Sequence, residues 1–506
     1  MRTTRTATIR ATKTCDLWTL TSADLRQVTQ DRLQAKFETY AKILENVPHL
    51  ECLSSCQRSA VAAALLEVSY EAGQTIVSQG EEGNEFFILF SGRLEVIIDG
   101  KQVANLEADS INGKHPHFGE QALLKDTPRS ATVRTLSKTT VLILRKDVFL
   151  QFKAMWDDGG DNNMADRKNQ AMTYRRTDLL VLRHLGEGAF GAVNLVEHVP
   201  TRTLFALKSL TKSQIEAIDS QKCVVNEKNV IRMTHSNFLV RGAAFYNLRG
   251  SVEFLMEAAM GGELRNVYSV KNLWGRPNLV RFHTACCARG LDHLHKRHIL
   301  YRDLKPENLL LDSRGYAKIC DFGLAKFALG RCHTFCGTPE YMAPEVADIE
   351  GYTKAVDWWS LGILVYELMV GDTPWECTDP FEIVKMGKKG LAKSAQSWQQ
   401  PGLWKEFVLD LCQVEPTSRL PLRRGGMAKL EQHPWFQKET RPFAWADLDQ
   451  QTMTPPFRPE VSPLPSCDSA FELREDPPSE TNDWAKDFED REGPAPEVFQ
   501  AASLPG

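Results

Sequence analysis

The chain has 506 residues, of which 25% are charged and 42% hydrophobic, and its formal net charge at pH 7 is −4. This length accommodates roughly two to four domains, and the slightly negative charge argues against a nucleic-acid partner. The longest apolar stretches, 61–68 and 361–370, are too short to span a bilayer, so we expect a soluble, cytoplasmic protein without a membrane span. Twelve cysteines with no Cys-x-x-Cys pair favour reduced thiols over a zinc site or a disulfide scaffold.

Residues 1–48 precede the first stretch with a clear strand pattern. The run Arg-Thr-Ala-Thr-Ile at 5–9 returns in similar form as Arg-Ser-Ala-Thr-Val at 129–133. Because internal similarity of this kind marks duplicated units, we expect 1–30 to be the C-terminal remnant of a second copy of the domain that contains 129–133. Residues 31–48 are expected to form a helical connector, and any oligomerisation segment would lie outside this chain.

Residues 49–155 are predicted to form a small antiparallel β-roll. Runs rich in β-branched and aromatic residues alternate with turn signals at 85–89, 94–98, 131–134 and 141–144. The segment 118–133 carries groups suited to a nucleotide: Arg129 offers a fork of donors to a phosphate, Gly119 opens a turn with free backbone N–H groups, and Glu120 can accept from a ribose hydroxyl. This segment resembles the phosphate-binding cassette of cyclic-nucleotide-binding domains.

The residue after the cassette arginine bears on which nucleotide is bound. Ser130 offers a hydroxyl that can bond the 2-amino group of guanine, whereas cyclic-AMP sites of the family that the cassette resembles usually carry alanine. We therefore expect cyclic GMP, with cyclic AMP as the alternative. Ala104 lies about where some cyclic-GMP sites carry arginine, and the segment 107–117 is longer than usual. These departures also leave open a vestigial domain that binds no nucleotide.

A polar, glycine-containing linker at 156–178 leads to a second domain with a different motif. Its pattern Gly-x-Gly-x-x-Gly lets the backbone approach phosphates without Cβ obstruction at Gly186, Gly188 and Gly191. Alone, the pattern fits a dinucleotide site equally well, but such a site needs a helix directly after the glycines. Here another strand is expected to follow and to end at Lys208, which would supply a cation to the phosphates. Glu227, in a helical stretch at 222–233, can pair with that lysine.

The most specific motifs are Tyr-Arg-Asp-Leu-Lys-Pro-Glu-Asn at 301–308 and Asp-Phe-Gly at 321–323. Asp303 can orient a substrate hydroxyl and accept its proton, while Lys305 can steady the transferred phosphate. Asn308 and Asp321 can hold Mg²⁺ against the nucleotide phosphates. These residue types at this spacing predict phosphoryl transfer from ATP to a hydroxyl.

On these motifs, and on Ala-Pro-Glu at 343–345, residues 179–436 resemble a eukaryotic protein kinase domain. The whole chain is then expected to be an α+β multidomain protein, in which a β-roll cyclic-nucleotide-binding domain precedes a bilobal kinase fold. The resemblance also implies which residues contact ATP. They are Leu185, Gly186, Gly188, Gly191, Val193, Ala206, Lys208, Met256, Glu257 and Ala259.

The kinase resemblance also implies the class of substrate. Lys305 and Thr338 match serine/threonine kinases, in which the threonine hydroxyl bridges the catalytic aspartate and lysine. Glu263 and Glu307 match acidic positions that bind arginines upstream of the phosphoacceptor in basophilic members. The expected partners are therefore proteins with basic residues near the acceptor.

A phosphorylation site is expected in the activation loop. Thr334 matches the family's activation-loop threonine. Phosphate adds nearly two negative charges, and Arg302, which precedes the catalytic aspartate, would pair with it. Phosphorylation would thereby connect the order of the loop to the geometry of catalysis.

Residues 437–506 are rich in Pro, Asp and Glu and are not expected to form a core of their own. Their aromatic residues are candidates for docking onto another domain: Phe457, Phe471, Trp484 and Phe488. The segment is similar to the C-terminal extension of AGC-group kinases, in which Phe471 would cover the adenine. With the cassette, it identifies the chain as similar to the cyclic-GMP-dependent protein kinases. The alternative from another class, a scaffold without chemistry, conflicts with the intact catalytic motifs.

Overall fold

The computed structural model of the protein describes residues 32, 35–47, 50, 55–109, 114–119, 128–146, 172–188, 191–328, 330–348, 350–375, 377, 379–391, 398, 402–438, 442–460, 471–472, 484–485 and 488–493. They fall into two units. The first lies within Met1–Gly159 and also includes Phe327–Thr334 and Ile349–Gly351, and the second comprises the rest of the chain. The predicted domain remnant at 1–30 lies outside the described residues.

The first unit contains two four-stranded antiparallel sheets, as the alternating pattern predicts. Their strands are β1 (Leu66–Tyr70), β2 (Thr75–Val77), β3 (Glu85–Ser91), β4 (Arg93–Ile98), β5 (Lys101–Glu107), β6 (His117–Phe118), β7 (Thr132–Thr135) and β8 (Thr139–Arg145). The strand orders are β1-β8-β3-β6 and β2-β7-β4-β5. Inward-facing residues from both sheets, among them Phe87, Leu94 and Val141, form one buried core. Residues 35–44 form a helix, α1, and a second helix, α2, covers Ser55–Ala64.

The second unit contains a six-stranded antiparallel sheet of order β13-β14-β12-β11-β10-β20, in which β20 (Phe471–Glu472) comes from the C-terminal segment and the other strands are given next. After β9 (Met172–Thr173) come β10 (Leu179–Gly188), β11 (Gly191–His198), β12 (Thr203–Thr211), β13 (Gly242–Asn247) and β14 (Ser251–Glu257). Helices α3 (Lys212–Ala217) and α4 (Gln221–Met233) lie between β12 and β13 in the sequence. The glycine motif occupies the hairpin between β10 and β11, followed by a strand as predicted. One expectation was wrong: the strand with Lys208 does not end there, because β12 continues to Thr211.

The remainder of the second unit is mainly helical, as its long apolar periodicity predicts. Its helices are α5 (Leu264–Lys271), α6 (Pro277–Lys296), α7 (Ala355–Val370), α8 (Pro380–Lys389), α9 (Trp404–Leu411), α10 (Met427–Glu431), α11 (Pro434–Gln437) and α12 (Trp445–Asp449). The short strands are β15 (Gly262–Glu263), β16 (Ile299–Leu300), β17 (Leu309–Leu311), β18 (Ala317–Ile319) and β19 (Lys326–Phe327). Helix α7 is buried on almost all sides, since every residue except Val370 is buried. Among the described residues, no helix is long and apolar enough to cross a membrane.

The C-terminal segment adds one strand to the six-stranded sheet, forms a separate two-stranded sheet with β9, and inserts an aromatic side chain beside the larger sheet. Strand β20 (Phe471–Glu472) pairs with β10, and β21 (Glu492–Gly493) pairs with β9. Phe488 is 2% exposed and packs edge-on against Phe245 and Phe254, with ring centroids 6.1 and 5.2 Å away. The predicted docking of Phe488 is therefore confirmed. The expected covering of adenine by Phe471 stays a prediction.

Candidate functional site

A lysine–glutamate pair connects the six-stranded sheet to helix α4. Lys208 Nζ in β12 donates to Glu227 Oε1 in α4 at 2.7 Å and lies 4.0 Å from Asp321 Oδ1. The Glu227 side chain is only 5% exposed, so it holds the lysine in a low-dielectric environment. Burial lowers the pKa of Lys208, but the carboxylates of Glu227 and Asp321 outweigh burial and raise that pKa above its ordinary value. The lysine is therefore a fixed cation, suited to phosphate.

Several of the residues predicted to contact ATP share one face of the sheet with this lysine. Val193 lies opposite Lys208, and Met256 lies opposite Ala206, in the antiparallel registers of β11, β12 and β14. Cross-strand partners and residues two apart project to the same side. Glu257 differs, because its side chain pairs with Lys318 at 2.9 Å. Any contact from Glu257 to a nucleotide would therefore come from its backbone.

Two more of these residues lie at the edge of the same region. Leu185, in β10, is exposed, with a relative accessibility of 43%. Ala259 follows β14 and is half-buried. Both positions leave the side chain accessible to a ligand, and their contact with ATP stays a prediction.

The glycines of the hairpin have different physical roles. A Cβ on Gly191 would lie 1.8 Å from the carbonyl oxygen of Ser209 in the neighbouring strand, whereas a Cβ on Gly186 would meet nothing within 4 Å. Gly191 is therefore required by the approach of β11 to β12. Gly186 remains available for the close approach of phosphate that the sequence predicts. The backbone of Gly188 pairs with that of Gly191 and closes the hairpin.

Asp303, Lys305 and Thr338 form one hydrogen-bonded cluster. The Thr338 hydroxyl donates to Asp303 Oδ1 at 2.7 Å and accepts from Lys305 Nζ at 2.9 Å. Lys305 Nζ also lies 3.0 Å from Asp303 Oδ2, which accepts from Asn308 Nδ2 at 2.8 Å. The predicted threonine bridge between aspartate and lysine is present. This geometry fixes a carboxylate and a cation side by side, as proton acceptance and phosphate transfer require.

Asn308 and Asp321, the residues predicted to hold Mg²⁺, carry side-chain oxygens, which are the ligands that this ion prefers. The Asn308 amide nitrogen is held by the backbone and side-chain oxygens of Asp303, both at 2.8 Å, so its Oδ1 is the atom left for a metal. The Asp321 side chain is 54% exposed. Within the described residues there is no group of three or more His, Cys, Asp or Glu side chains that could hold a metal. Two protein oxygens fit a Mg²⁺ ion that is also bound by substrate phosphates.

A buried aspartate that was not predicted as a site residue holds the catalytic loop. Asp357 is fully buried and accepts from the backbone N–H groups of Tyr301 and Arg302 at 2.9 and 2.7 Å, and from His295 Nε2 at 2.7 Å. Arg302 has φ +71°, a conformation that costs free energy in a residue other than glycine. Asp357 offsets that cost and positions the adjacent Asp303. A carboxylate at the start of an apolar helix was the available sequence signal.

Arg302, the residue predicted to pair with phosphorylated Thr334, forms hydrogen bonds with other residues in this structure. Arg302 donates to the Leu324 carbonyl at 2.7 Å and to the Tyr352 hydroxyl at 3.0 Å. Thr334 is exposed and belongs to the first unit. The pairing of Arg302 with phosphorylated Thr334 stays a prediction.

The acidic residues expected to bind substrate arginines lie near a third carboxylate. Glu307 Oε1 is 3.1 Å from Arg265 Nη1, and the same nitrogen donates to Glu367 Oε1 at 2.8 Å. Burial and the charge of Glu307 raise the pKa of Glu263, and the charge of Arg265 opposes that rise. The charges of Glu263, Glu307 and Arg265 therefore interact. Glu367 was visible in the sequence only as one charge within the apolar run 361–370. The protein's own Arg265 could not be expected beside it.

The first unit contains a cavity of about 250 Å³ at the predicted cassette, lined in part by Gly119, Arg129 and Ser130. Arg129 is 8% exposed and donates to the Glu85 carbonyl at 2.8 Å. No carboxylate within the described residues lies within ion-pair distance of its guanidinium, so an anionic ligand would be stabilised there. Gly119 has φ +86°, and a Cβ there would lie 2.5 Å from Arg129 Nη1. Glu120 lies outside the described residues.

Comparisons with known proteins identify the family of each of two domains. The protein kinase domain family matches residues 179–436, and the cyclic nucleotide-binding domain family matches residues 67–154. A "cGMP-dependent protein kinase, isozyme 2 forms cD5/T2" from Drosophila melanogaster is 33% identical over 96% of this chain and 53% of its own length. A "cGMP-dependent protein kinase 2" from Rattus norvegicus is 30% identical over 96% of this chain and 68% of its own length. The chain thus spans between about half and two thirds of these relatives.

Proposed function

Because the chain belongs to the protein kinase family and, within it, to the cyclic-GMP-dependent protein kinases, we propose that it transfers the γ-phosphate of ATP to serine and threonine residues under the control of cyclic GMP. The observation that carries the proposal is the cluster of Asp303, Lys305 and Thr338. These three side chains contact one another directly. The Asp303 carboxylate also accepts from Asn308 Nδ2 and from the backbone N–H of Thr338, which restrain its direction. A scaffold that only senses nucleotide has no need of this arrangement.

On the side of the accepting substrate, Asp303 would orient the serine or threonine hydroxyl and receive its proton. Lys305 would stabilise charge on the transferred phosphoryl group. Thr338 bridges the two charged groups through hydrogen bonds to both. Glu263 and Glu307 would favour proteins with basic residues near the acceptor.

On the side of ATP, Lys208 would bind the α- and β-phosphates, with Glu227 fixing its direction. The adenine would lie against the face of the sheet that carries Val193, Ala206 and Met256. Asn308 and Asp321 would hold Mg²⁺, which would supply positive charge to the phosphates of the nucleotide. Each of these residues acts by position and charge, since phosphoryl transfer needs little covalent chemistry from the protein.

In the regulatory domain, which we propose to span 49–155, the cyclic phosphate would bind Arg129 and the backbone at Gly119. The hydroxyl of Ser130, which is exposed at the cavity, would select guanine. Phosphorylation of Thr334 and pairing with Arg302 would support activity. A cytoplasmic location remains our expectation, testable by fractionation of cells.

The choice between cyclic GMP and cyclic AMP is tested by calorimetric titration of the whole chain with each nucleotide. We expect tighter binding of cyclic GMP, and we expect Ser130→Ala to reduce the preference by about tenfold, the value of one hydrogen bond of ~1.4 kcal/mol. The binding of cyclic AMP should be little changed by this substitution, which serves as the internal control. Tighter binding of cyclic AMP by the wild-type chain would support the cyclic-AMP alternative, equal binding of both nucleotides would contradict selection of guanine by Ser130, and no binding of either would support a vestigial domain.

A further inference from the structure

The guanidinium group of Arg265 lies beside Glu307, a carboxylate that the sequence predicts to bind an arginine of the substrate. Its Nη1 lies 3.1 Å from Glu307 Oε1 and 2.8 Å from Glu367 Oε1. One nitrogen of the guanidinium therefore contacts two carboxylates at once. Glu307 is one of the two residues expected to recognise basic substrates, so a side chain of the protein itself already neutralises part of that recognition site.

The second carboxylate gives this contact a fixed geometry. The Glu367 side chain is 2% exposed, because it projects from the buried helix α7. The Tyr341 hydroxyl donates to its other oxygen. Burial raises the pKa of Glu367, while the hydrogen bond from Tyr341 and the charge of Arg265 oppose that rise. A buried carboxylate retains its charge most readily beside a cation, and Arg265 is the cation supplied by this chain.

Arg265 nevertheless lies at the surface, where it can be displaced. Its side chain is 46% exposed, and that of Glu307 is 38% exposed. Arg265 lies in the first turn of the eight-residue helix α5, directly after Glu263 and Leu264. Arginine side chains change rotamer on fast timescales when exposed. An incoming guanidinium could therefore replace that of Arg265 without any movement of the backbone.

We propose that Arg265 is an internal competitor for a substrate arginine, so that this kinase gains little from a second upstream arginine in a substrate that already carries one. Glu263 would bind the single arginine, since its carboxylate forms no hydrogen bond or ion pair with any of the described residues. A second arginine must displace Arg265 from Glu307 and Glu367 and therefore gains little binding. This inference rests on the proposed kinase function and specifies the substrate class of the same site.

The test compares serine peptides that carry two adjacent upstream arginines with the two peptides in which one arginine is replaced by alanine. The measured quantity is the ratio of kcat/KM for the double-arginine peptide to that for the better single-arginine peptide. For the wild-type chain we expect a ratio within about threefold of unity. For Arg265→Ala we expect the ratio to rise about tenfold, the usual effect of one new charge-assisted hydrogen bond.

Two further variants separate competition from a structural role. Arg265→Lys keeps the charge but loses the planar fork, so its ratio should lie between those of the wild type and Arg265→Ala. Arg202→Ala removes another exposed arginine, which pairs with Glu197 at 2.8 Å, and its ratio should equal that of the wild type. If Arg265 only stabilises the fold, Arg265→Ala will lower the melting temperature and reduce the turnover of all peptides equally. An unchanged ratio would overturn the proposal.

Binding measurements keep the inference distinct from the kinase proposal. Peptides with alanine at the acceptor position are titrated into the whole chain, and binding is followed by fluorescence anisotropy. The same ratio of affinities should rise in Arg265→Ala, or in Arg265→Lys if the alanine variant does not fold. Phosphate transfer to none of the peptides would refute the proposed function, whereas transfer with an unchanged affinity ratio would refute only the role of Arg265.

Discussion

Thr338 is the residue whose substitution tests the catalytic cluster most sharply. Its hydroxyl donates to Asp303 and accepts from Lys305. Replacement by alanine removes both bonds, while the Thr338 backbone N–H, 3.2 Å from Asp303 Oδ1, can still donate. Hydrogen bonds to charged groups contribute about 1.5–3 kcal/mol each. Loss of the one that orients the catalytic carboxylate should therefore lower kcat about 10- to 150-fold in Thr338→Ala.

The assay measures initial rates with a serine peptide at saturating ATP, and then varies ATP. The KM for ATP should change less than about twofold, since in the described part of the chain the side-chain hydrogen bonds of Thr338 go to Asp303 and Lys305 and not to Lys208 or the nucleotide-facing sheet residues. Thr338→Ser keeps the hydroxyl and should retain most of the wild-type activity. The reasoning would be refuted by a kcat for Thr338→Ala within twofold of wild type, or by equal losses in the serine and alanine variants.

Two other predictions concern folding. Gly191→Ala should lower the melting temperature by several degrees, because its Cβ would lie 1.8 Å from the Ser209 carbonyl oxygen. Gly186→Ala is the control and should leave the melting temperature unchanged, because the space around Gly186 is open. Equal melting temperatures of the two variants would contradict the packing role of Gly191. Burial lowers the pKa of His283 to about 4 from 6.5. The unfolded chain then binds more protons between those values, so the stability from a neutral His283 is complete above about pH 6.5 and is lost as the pH falls toward 4, by roughly 3 kcal/mol. His283→Gln should flatten the dependence of melting temperature on pH in this range. An unaltered pH profile would contradict the contribution of buried His283 to stability.

The motifs whose residues must meet a common substrate could be predicted from the sequence. Lys208 and Glu227 are 19 residues apart, yet their pairing was predictable because a phosphate-binding cation needs a fixed direction. The cluster of Asp303, Lys305 and Thr338 was implied by the resemblance of these positions to serine/threonine kinases. In the β-roll, the alternation of apolar and polar residues located the strands, since one face of each is buried in the core.

Contacts made by backbone or by single long side chains could not be predicted. Strand β21 has two residues, and its pairing with β9 uses main-chain groups that every sequence offers. Arg265 and Glu367 are 102 residues apart, and nothing in either local pattern indicates the other. The packing role of Gly191 could not be predicted either. Its motif indicates phosphate binding, whereas the structure shows that a Cβ there would collide with the neighbouring strand.

The central claim, phosphoryl transfer governed by cyclic GMP, is tested most directly by one rate measurement. Incorporation of radiolabelled phosphate from ATP into an arginine-containing serine peptide is followed with the purified chain, with and without saturating cyclic GMP. The account predicts transfer to the serine, a higher rate with cyclic GMP, and no transfer by Asp303→Asn. Absence of transfer under every condition, or a rate that cyclic GMP leaves unchanged, would contradict it.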